Sequence, residues 1–209
     1  MSRTRHYIFL EVIFIVSFVM LVPMLVLFVM ARSAGLHDML ARSVSSGGAI
    51  EAIGYDSVRR EVTEYLFGHG ELAATIFSAR EIVHMHDVRI LFMSLTIVLA
   101  MGAVVCIGTL LYLRSQGASL ANIARRVTAW GLIATVALGS AMTLFFDQLF
   151  IWFHQALFMN DYWLLDPAKD IIIRAYPPDF FQRFAVISLG IIVAIYASVW
   201  TTLTVFKKR

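Results

Sequence analysis

Four long stretches of apolar residues limit the folds that are open to this chain. They cover about residues 7–31, 90–113, 127–146 and 184–206, and the last three contain no charged residue. Each is longer than the roughly 18 apolar residues that mark a helix able to cross a bilayer. At 60% hydrophobic residues the chain also lies above the usual range of soluble domains. The sequence therefore predicts an all-α membrane protein with four transmembrane helices in a single domain, residues 1–209.

The first stretch differs from the others because Glu11 and Pro23 interrupt it and the basic start MSRTR precedes it. A cleaved signal peptide is the alternative reading of such a segment. The apolar core of a signal peptide is only about 7–15 residues long, and this stretch is much longer. We expect a retained first span, with a kink at Pro23.

Arg and Lys collect on one side of the predicted membrane. They include Arg3 and Arg5, the loop RSQGASLANIARR between the second and third stretches, and the final KKR. Short loops rich in Arg and Lys stay in the cytoplasm. Both termini are therefore predicted inside, which leaves residues 32–89 and 147–183 to form a small extracytoplasmic cap. The net charge of +3 then reflects the orientation of the protein in the membrane and does not indicate a surface that binds nucleic acid.

Residues before the second stretch carry polar side chains at helical spacing. Ser78 and Glu81 have the spacing of a capping box, which starts a helix. We expect this helix to continue directly into the second span. Glu81, His84 and Asp87 then lie near one face of its outer end, whereas His86 points elsewhere.

A second polar segment, FHQALFMNDYWLLDPAKD at residues 153–170, follows the third stretch. We expect the third helix to continue past Asp147, so that His154 lies near its outer end. The polar residues after it form a loop that returns to the membrane at PPDFF: Asn160, Asp161, Trp163, Asp166 and Asp170. His84 and His154 are thus predicted at matching depth on the same side.

Two imidazoles near carboxylates suit general acid–base chemistry. Asp87 is a candidate partner for His84, and Asp161 or Asp166 for His154. The sequence has no GxSxG motif, so we expect the substrate to supply its own nucleophile. Two alternatives remain open: a non-catalytic binding or chaperone module, and a metal-dependent membrane hydrolase using His84, His86, Asp87 and His154.

Two motifs identify a family resemblance. They are E-x-x-H-x-x-D-V before the second span and F-H-x-x-x-F-x-N-D-x-W-x-L-D-P-x-x-D, followed by P-x-x-F-F, before the fourth. Together with the four spans, they resemble the bacterial lipoprotein intramolecular transacylases. Tyr65 matches a further pattern of that family.

The resemblance implies an acyltransferase of the bacterial cell membrane that needs no cofactor. Its substrates are diacylated lipoproteins, and it moves the sn-2 acyl chain of the diacylglyceryl-cysteine to the α-amine of the same cysteine, giving an N-acyl lyso-form. His84 and His154 would be catalytic, on the extracytoplasmic face, and our working expectation makes His84 the base. The implied supporting or substrate-binding residues are Tyr65, Glu81, Asp87, Asn160, Asp161, Trp163, Asp166 and Asp170.

Overall fold

The computed structural model describes residues 2–44, 54–68 and 70–205, with side chains from residue 7 onward. Its secondary structure is helical, without strands in those ranges, as the sequence predicts. The helices are α1 (Ser2–Met30), α2 (Ala34–Val44), α3 (Tyr55–Phe67), α4 (Ala79–Ser115), α5 (Leu120–Leu144), α6 (Phe146–Leu157), α7 (Ile171–Ala175) and α8 (Pro178–Val205). The final KKR and the side chains of Arg3 and Arg5, which enter the orientation prediction, lie outside the described part.

Four helices are long and apolar enough to cross a membrane, which confirms the predicted number of spans. They are Tyr7–Met30 within α1, together with α4, α5 and α8. As predicted, α4 runs without a break from Ala79 through the second apolar stretch. Its 37 residues extend for about 55 Å at 1.5 Å per residue, and the hydrocarbon core is only about 30 Å thick. One helix can therefore both span the membrane and reach well beyond it.

The third apolar stretch does not continue as one helix to His154. Helix α5 ends at Leu144, and Phe145 leaves the helical conformation with φ −130° and ψ 30°. A new helix, α6, starts at Phe146 with Asp147 in its first turn, where an acidic side chain is favourable to the helix dipole. His154 is therefore carried by a separate twelve-residue helix.

The chain divides into two compact units. The first comprises Met1–Phe28, Leu95–Ser140 and Ile187–Arg209. In it, Arg126 of α5 donates to the buried Glu11 of α1 at 2.9 Å. A Cβ atom added to Gly131 of α5 would lie only 2.5 Å from the Tyr196 ring of α8, so glycine allows this close packing.

The second unit comprises Val29–Ser94 and Ala141–Val186, and it contains every predicted site residue. Helix α3 is amphipathic and buries Val58, Val62 and Tyr65. It is tied to α2 by the Arg59–Asp38 ion pair at 2.9 Å and by the Tyr55 hydroxyl, which donates to a carbonyl of α2. The remaining parts of this unit form the site.

Candidate active site

The start of α4 is fixed by the predicted capping box. The backbone N–H of Ser78 donates to Glu81 Oε2 at 2.7 Å. In return, the backbone N–H of Glu81 donates to Ser78 Oγ at 3.3 Å. This pair satisfies two donors that the first turn would otherwise leave without partners. It also sets the position of His84, which follows Glu81 by one turn.

Two buried carboxylates join this helix start to the loop before α7. Glu81 is 1% exposed, and its Oε1 also accepts the backbone N–H of Ile172 at 2.6 Å. Asp170 accepts the Ser78 hydroxyl at 2.8 Å and the backbone N–H of Asp166 at 2.7 Å. Glu81 and Asp170 thus form a framework of hydrogen bonds that holds the start of α4 to this loop.

The two predicted histidines do meet. The ring centroids of His84 and His154 lie 6.0 Å apart, with the ring planes 37° from parallel. Each residue is only 8% exposed. Phe158 packs against both rings, at 5.2 Å from His84 and 5.6 Å from His154. Two largely dehydrated imidazoles can thus act on the same bound group.

The tautomer of His154 follows from its hydrogen bond. Its Nδ1 lies 2.7 Å from the backbone carbonyl oxygen of Phe150, one turn earlier in α6. A carbonyl can only accept, so Nδ1 carries the proton and Nε2 of the neutral ring keeps its lone pair. The expected carboxylate partner, Asp161 or Asp166, does not occupy this position. Burial lowers the pKa of His154, and the bond to Phe150 acts in the opposite direction.

His84 has a different environment. Its Nδ1 is buried and has no hydrogen-bond partner among the residues that the structure describes. Asp87, the expected partner, instead accepts the side-chain amide of Asn160 at 2.9 Å. That bond ties α4 to the turn just after Phe158. The His84 Nδ1 thus lies in a buried position with its hydrogen-bonding capacity unsatisfied by the described residues.

The other predicted site residues differ in their contacts and exposure. Trp163 packs on His154, with ring centroids 4.9 Å apart and planes 30° from parallel. Asp161 and Asp166 are exposed, and Asp166 Oδ1 accepts the backbone N–H of Ala168. The Tyr65 ring packs against Arg89, whose guanidinium carbon lies 4.8 Å from the ring centroid.

The metal alternative has little geometric support. The His86 side chain is 63% exposed, and its Nδ1 lies 4.0 Å from Asp87. Within residues 2–44, 54–68 and 70–205, no group of three or more His, Cys, Asp or Glu side chains is arranged to hold a metal ion.

Sequence reasoning missed several neighbours of the two histidines. Phe150 and Phe158 stand four residues before and after His154, and helical spacing could have identified them as contacts. Ser78 was recognised as a cap but not as the link to Asp170. No short-range signal in the sequence indicates the contacts that Arg80 makes with a loop more than 80 positions away.

The lowered pKa of His154 predicts an acid-sensitive fold. In the unfolded chain, histidine titrates near about 6.5, whereas folding lowers the pKa of His154. The unfolded state therefore binds the proton more readily. Stability is fully present above about pH 6.5 and falls as the pH drops from there toward the folded pKa, by at most about 1.4 kcal/mol per pH unit.

We expect the melting temperature of the detergent-solubilised protein to decrease between about pH 7 and about pH 5. His154→Gln should decrease less over the same range. His37, whose pKa burial also lowers, contributes equally to both proteins and cancels. An identical decrease in the two proteins would contradict the lowered pKa of His154.

Comparison with known proteins places this geometry in context. The family model for "Lipoprotein intramolecular transacylase Lit" matches residues 9–181. The solved structure of the membrane integral lipoprotein intramolecular transacylase Lit from Bacillus cereus is 18% identical, with a TM-score of 0.78, and the match covers 98% of this chain and 99% of that one.

Two further structures of that protein have one histidine replaced, by arginine or by alanine. They are 19% and 20% identical to this chain, each with a TM-score of 0.78. The matches cover 99% and 100% of this chain and 96% and 97% of theirs. A comparison with curated proteins gives no match.

Proposed function

This chain belongs to the lipoprotein intramolecular transacylase family and is a membrane acyltransferase that acts on lipoproteins; we propose that His84 and His154 carry the transfer. The observation that supports this most directly is the convergence of two buried imidazoles, one of which has an unpartnered ring nitrogen. The short first motif, which includes His84, and the long second motif, which includes His154, meet at this pair of rings.

The reaction joins two groups of the same substrate molecule. The α-ammonium of the lipid-modified cysteine loses a proton, and the neutral nitrogen attacks the carbonyl carbon of the sn-2 ester. A C–N bond forms, and the attacking nitrogen gives up a second proton. The bond to the glyceryl oxygen breaks and that oxygen takes up the second proton, while the first proton leaves to solvent. The products are an amide and a glyceryl hydroxyl. Since both reacting groups are tethered, orientation within the site contributes much of the acceleration.

We assign His154 as the general base and reverse our working expectation. Its Nδ1–H is engaged by the Phe150 carbonyl, which leaves Nε2 to accept the proton of the amine and return it to the glyceryl oxygen. His84 is assigned as the donor to the oxyanion, because its Nδ1 lacks a partner within the described residues. A buried donor that awaits negative charge is the arrangement expected of an oxyanion hole.

The surrounding residues are proposed to support this pair. Trp163 covers one side of His154, and the Asp87–Asn160 bond keeps α4 and the turn after α6 together. The other framework residues are Glu81, Asp166 and Asp170. Tyr65 and the exposed Asp161 are proposed substrate contacts.

We also propose that the site faces the extracytoplasmic side. The substrate is anchored in a leaflet with its ester and amine at the boundary between hydrocarbon and water. The Arg126–Glu11 contact supports the underlying topology, because it places the start of α5 beside the start of α1. Both starts would then lie on the basic, cytoplasmic side.

The test of the function is conversion of a lipoprotein in a bacterium that expresses this chain. Precursor and product are isomers, so intact mass does not distinguish them. Isotopic labelling of free amines, followed by tandem mass spectrometry of the N-terminal peptide, should show a blocked amine that carries one acyl chain. A lipoprotein whose amine remains free would contradict the assignment.

The role of His84 makes a separate prediction. His84→Ala should lower the transfer rate about 100-fold or more, the usual effect of losing an oxyanion donor. His84→Asn places an amide nitrogen near the position of Nδ1 and should retain part of the rate. The rate is measured on a synthetic diacylated lipopeptide in detergent, with His86→Ala as the matched control. Equal losses in the Ala and Asn variants would exclude a simple donor role.

A further inference from the structure

Arg80 makes three contacts with one turn of the loop that follows α6. Its Nη1 donates to the backbone carbonyl of Asp161 at 2.9 Å and to that of Leu164 at 3.4 Å. Its guanidinium carbon also lies 5.7 Å from the centroid of the Tyr162 ring. A planar guanidinium with several fixed donors is suited to bridging two acceptors in this way.

The turn that Arg80 bridges presents Trp163. The backbone N–H of Leu164 donates to the carbonyl of Asp161 at 3.2 Å, which closes the turn. Trp163 lies between the two carbonyls that Arg80 binds, and its indole packs 4.9 Å from the His154 ring. The chain of contacts therefore runs from Arg80 through the turn to the indole and then to the imidazole.

We propose that Arg80 is a positioning residue: by holding the 161–164 turn, it keeps the Trp163 indole against His154 and water away from that imidazole. Only the catalytic consequence of this inference rests on the proposed function. The turn and the exposure of His154 can be measured without any transfer activity. Arg80 itself touches the loop rather than the reacting atoms.

The neighbours of His154 make its environment sensitive to this turn. Its ring contacts from α6 and the loop are uncharged: Phe150, Phe153, Phe158 and Trp163. On the facing helix, the His84 ring centroid lies 6.0 Å away. The other charged or titratable residues at that end of α4 are Arg80, Glu81, His86, Asp87 and Arg89. Because desolvation is the main cause of the lowered pKa of His154, a loosened indole should admit water and return that pKa toward its ordinary value.

The experiment compares Arg80→Gln with Arg60→Gln, a matched change at an exposed arginine of α3. We expect hydrogen exchange of residues 161–165 to become about tenfold faster in Arg80→Gln, the effect of losing roughly one hydrogen bond to a charged donor. We also expect His154 to contribute less to the decrease in melting temperature at acid pH in Arg80→Gln than in the parent protein. This contribution is the difference between each protein and the same protein carrying His154→Gln. Arg80→Lys replaces the forked guanidinium with a compact ammonium. Its exchange rate and acid dependence should lie between those of Arg60→Gln and Arg80→Gln.

Unchanged exchange in Arg80→Gln would overturn the proposal, since the turn would then hold without Arg80. Faster exchange with an unaltered acid dependence would also overturn it, because the turn would not control His154. If both shift as expected, the proposal stands even for a preparation that transfers no acyl chain, and that failure would count against the proposed function alone. With activity present, kcat should fall severalfold while Arg60→Gln matches the parent protein.

Discussion

His154→Ala should reduce acyl transfer by about 100- to 10,000-fold, the range that loss of a positioned general base produces. The attacking nitrogen would then have no acceptor for its proton, and the leaving glyceryl oxygen no donor. The measurement is the initial rate of amine blocking on a synthetic diacylated lipopeptide. His154→Gln should be equally inactive, because an amide cannot take up the proton.

Gln155→Ala provides the control for this prediction. It changes the next residue of α6, which is exposed, and should leave the rate within about twofold of the parent protein, as surface substitutions usually do. If His154→Gln kept most of the activity while His84→Ala lost it, the base would have to be His84. The tautomer argument would then be wrong for the reacting state.

Glu81→Ala should destabilise the fold by about 3 kcal/mol, because two buried backbone N–H groups lose a charged acceptor. These are the donors of Ser78 and Ile172, at 2.7 and 2.6 Å. Glu81→Gln can still accept one of them and should be less destabilised. Equilibrium unfolding of the detergent-solubilised protein measures both effects.

Glu71→Gln is the matched surface control and should unfold as the parent protein does. A second comparison separates structure from chemistry. If Glu81→Gln unfolded like the parent protein but lost all acyl transfer, Glu81 would belong to the reacting groups and not to the framework. If Glu81→Ala were as stable as the parent, the bonds to α4 and α7 would carry no net energy.

Hydrophobicity and local spacing were sufficient to predict the spans and the start of α4. Long uncharged stretches have few alternatives to a membrane helix, and the capping box of Ser78 and Glu81 acts within one turn. The convergence of His84 and His154 was predictable because both were assigned to the same side at similar depth. The spans and the capping box depend on residues that are close in the sequence. The convergence of the histidines follows from the depth of each residue relative to the membrane.

The remaining features depend on contacts between distant parts of the chain. The break at Phe145 occurs inside an apolar run, and nothing in its composition indicates an end. The sequence does not indicate whether the Nδ1–H of His154 donates to the Phe150 carbonyl or to a loop carboxylate, because either acceptor would satisfy it. Likewise, the Ser78–Asp170 and Arg80–Asp161 bonds join positions 92 and 81 residues apart, and their partners become evident only in the folded chain.

The spacing of the two imidazoles has a consequence for how many charges this pocket tolerates. Two positive rings with centroids 6.0 Å apart would repel by about 3 kcal/mol at an effective dielectric constant of about 20, and more if water is excluded. The state in which both rings are protonated is therefore disfavoured relative to the state with a single proton. In the proposed mechanism, a proton that His154 has taken from the attacking nitrogen therefore disfavours protonation of His84, which stays neutral while His154 passes that proton to the glyceryl oxygen.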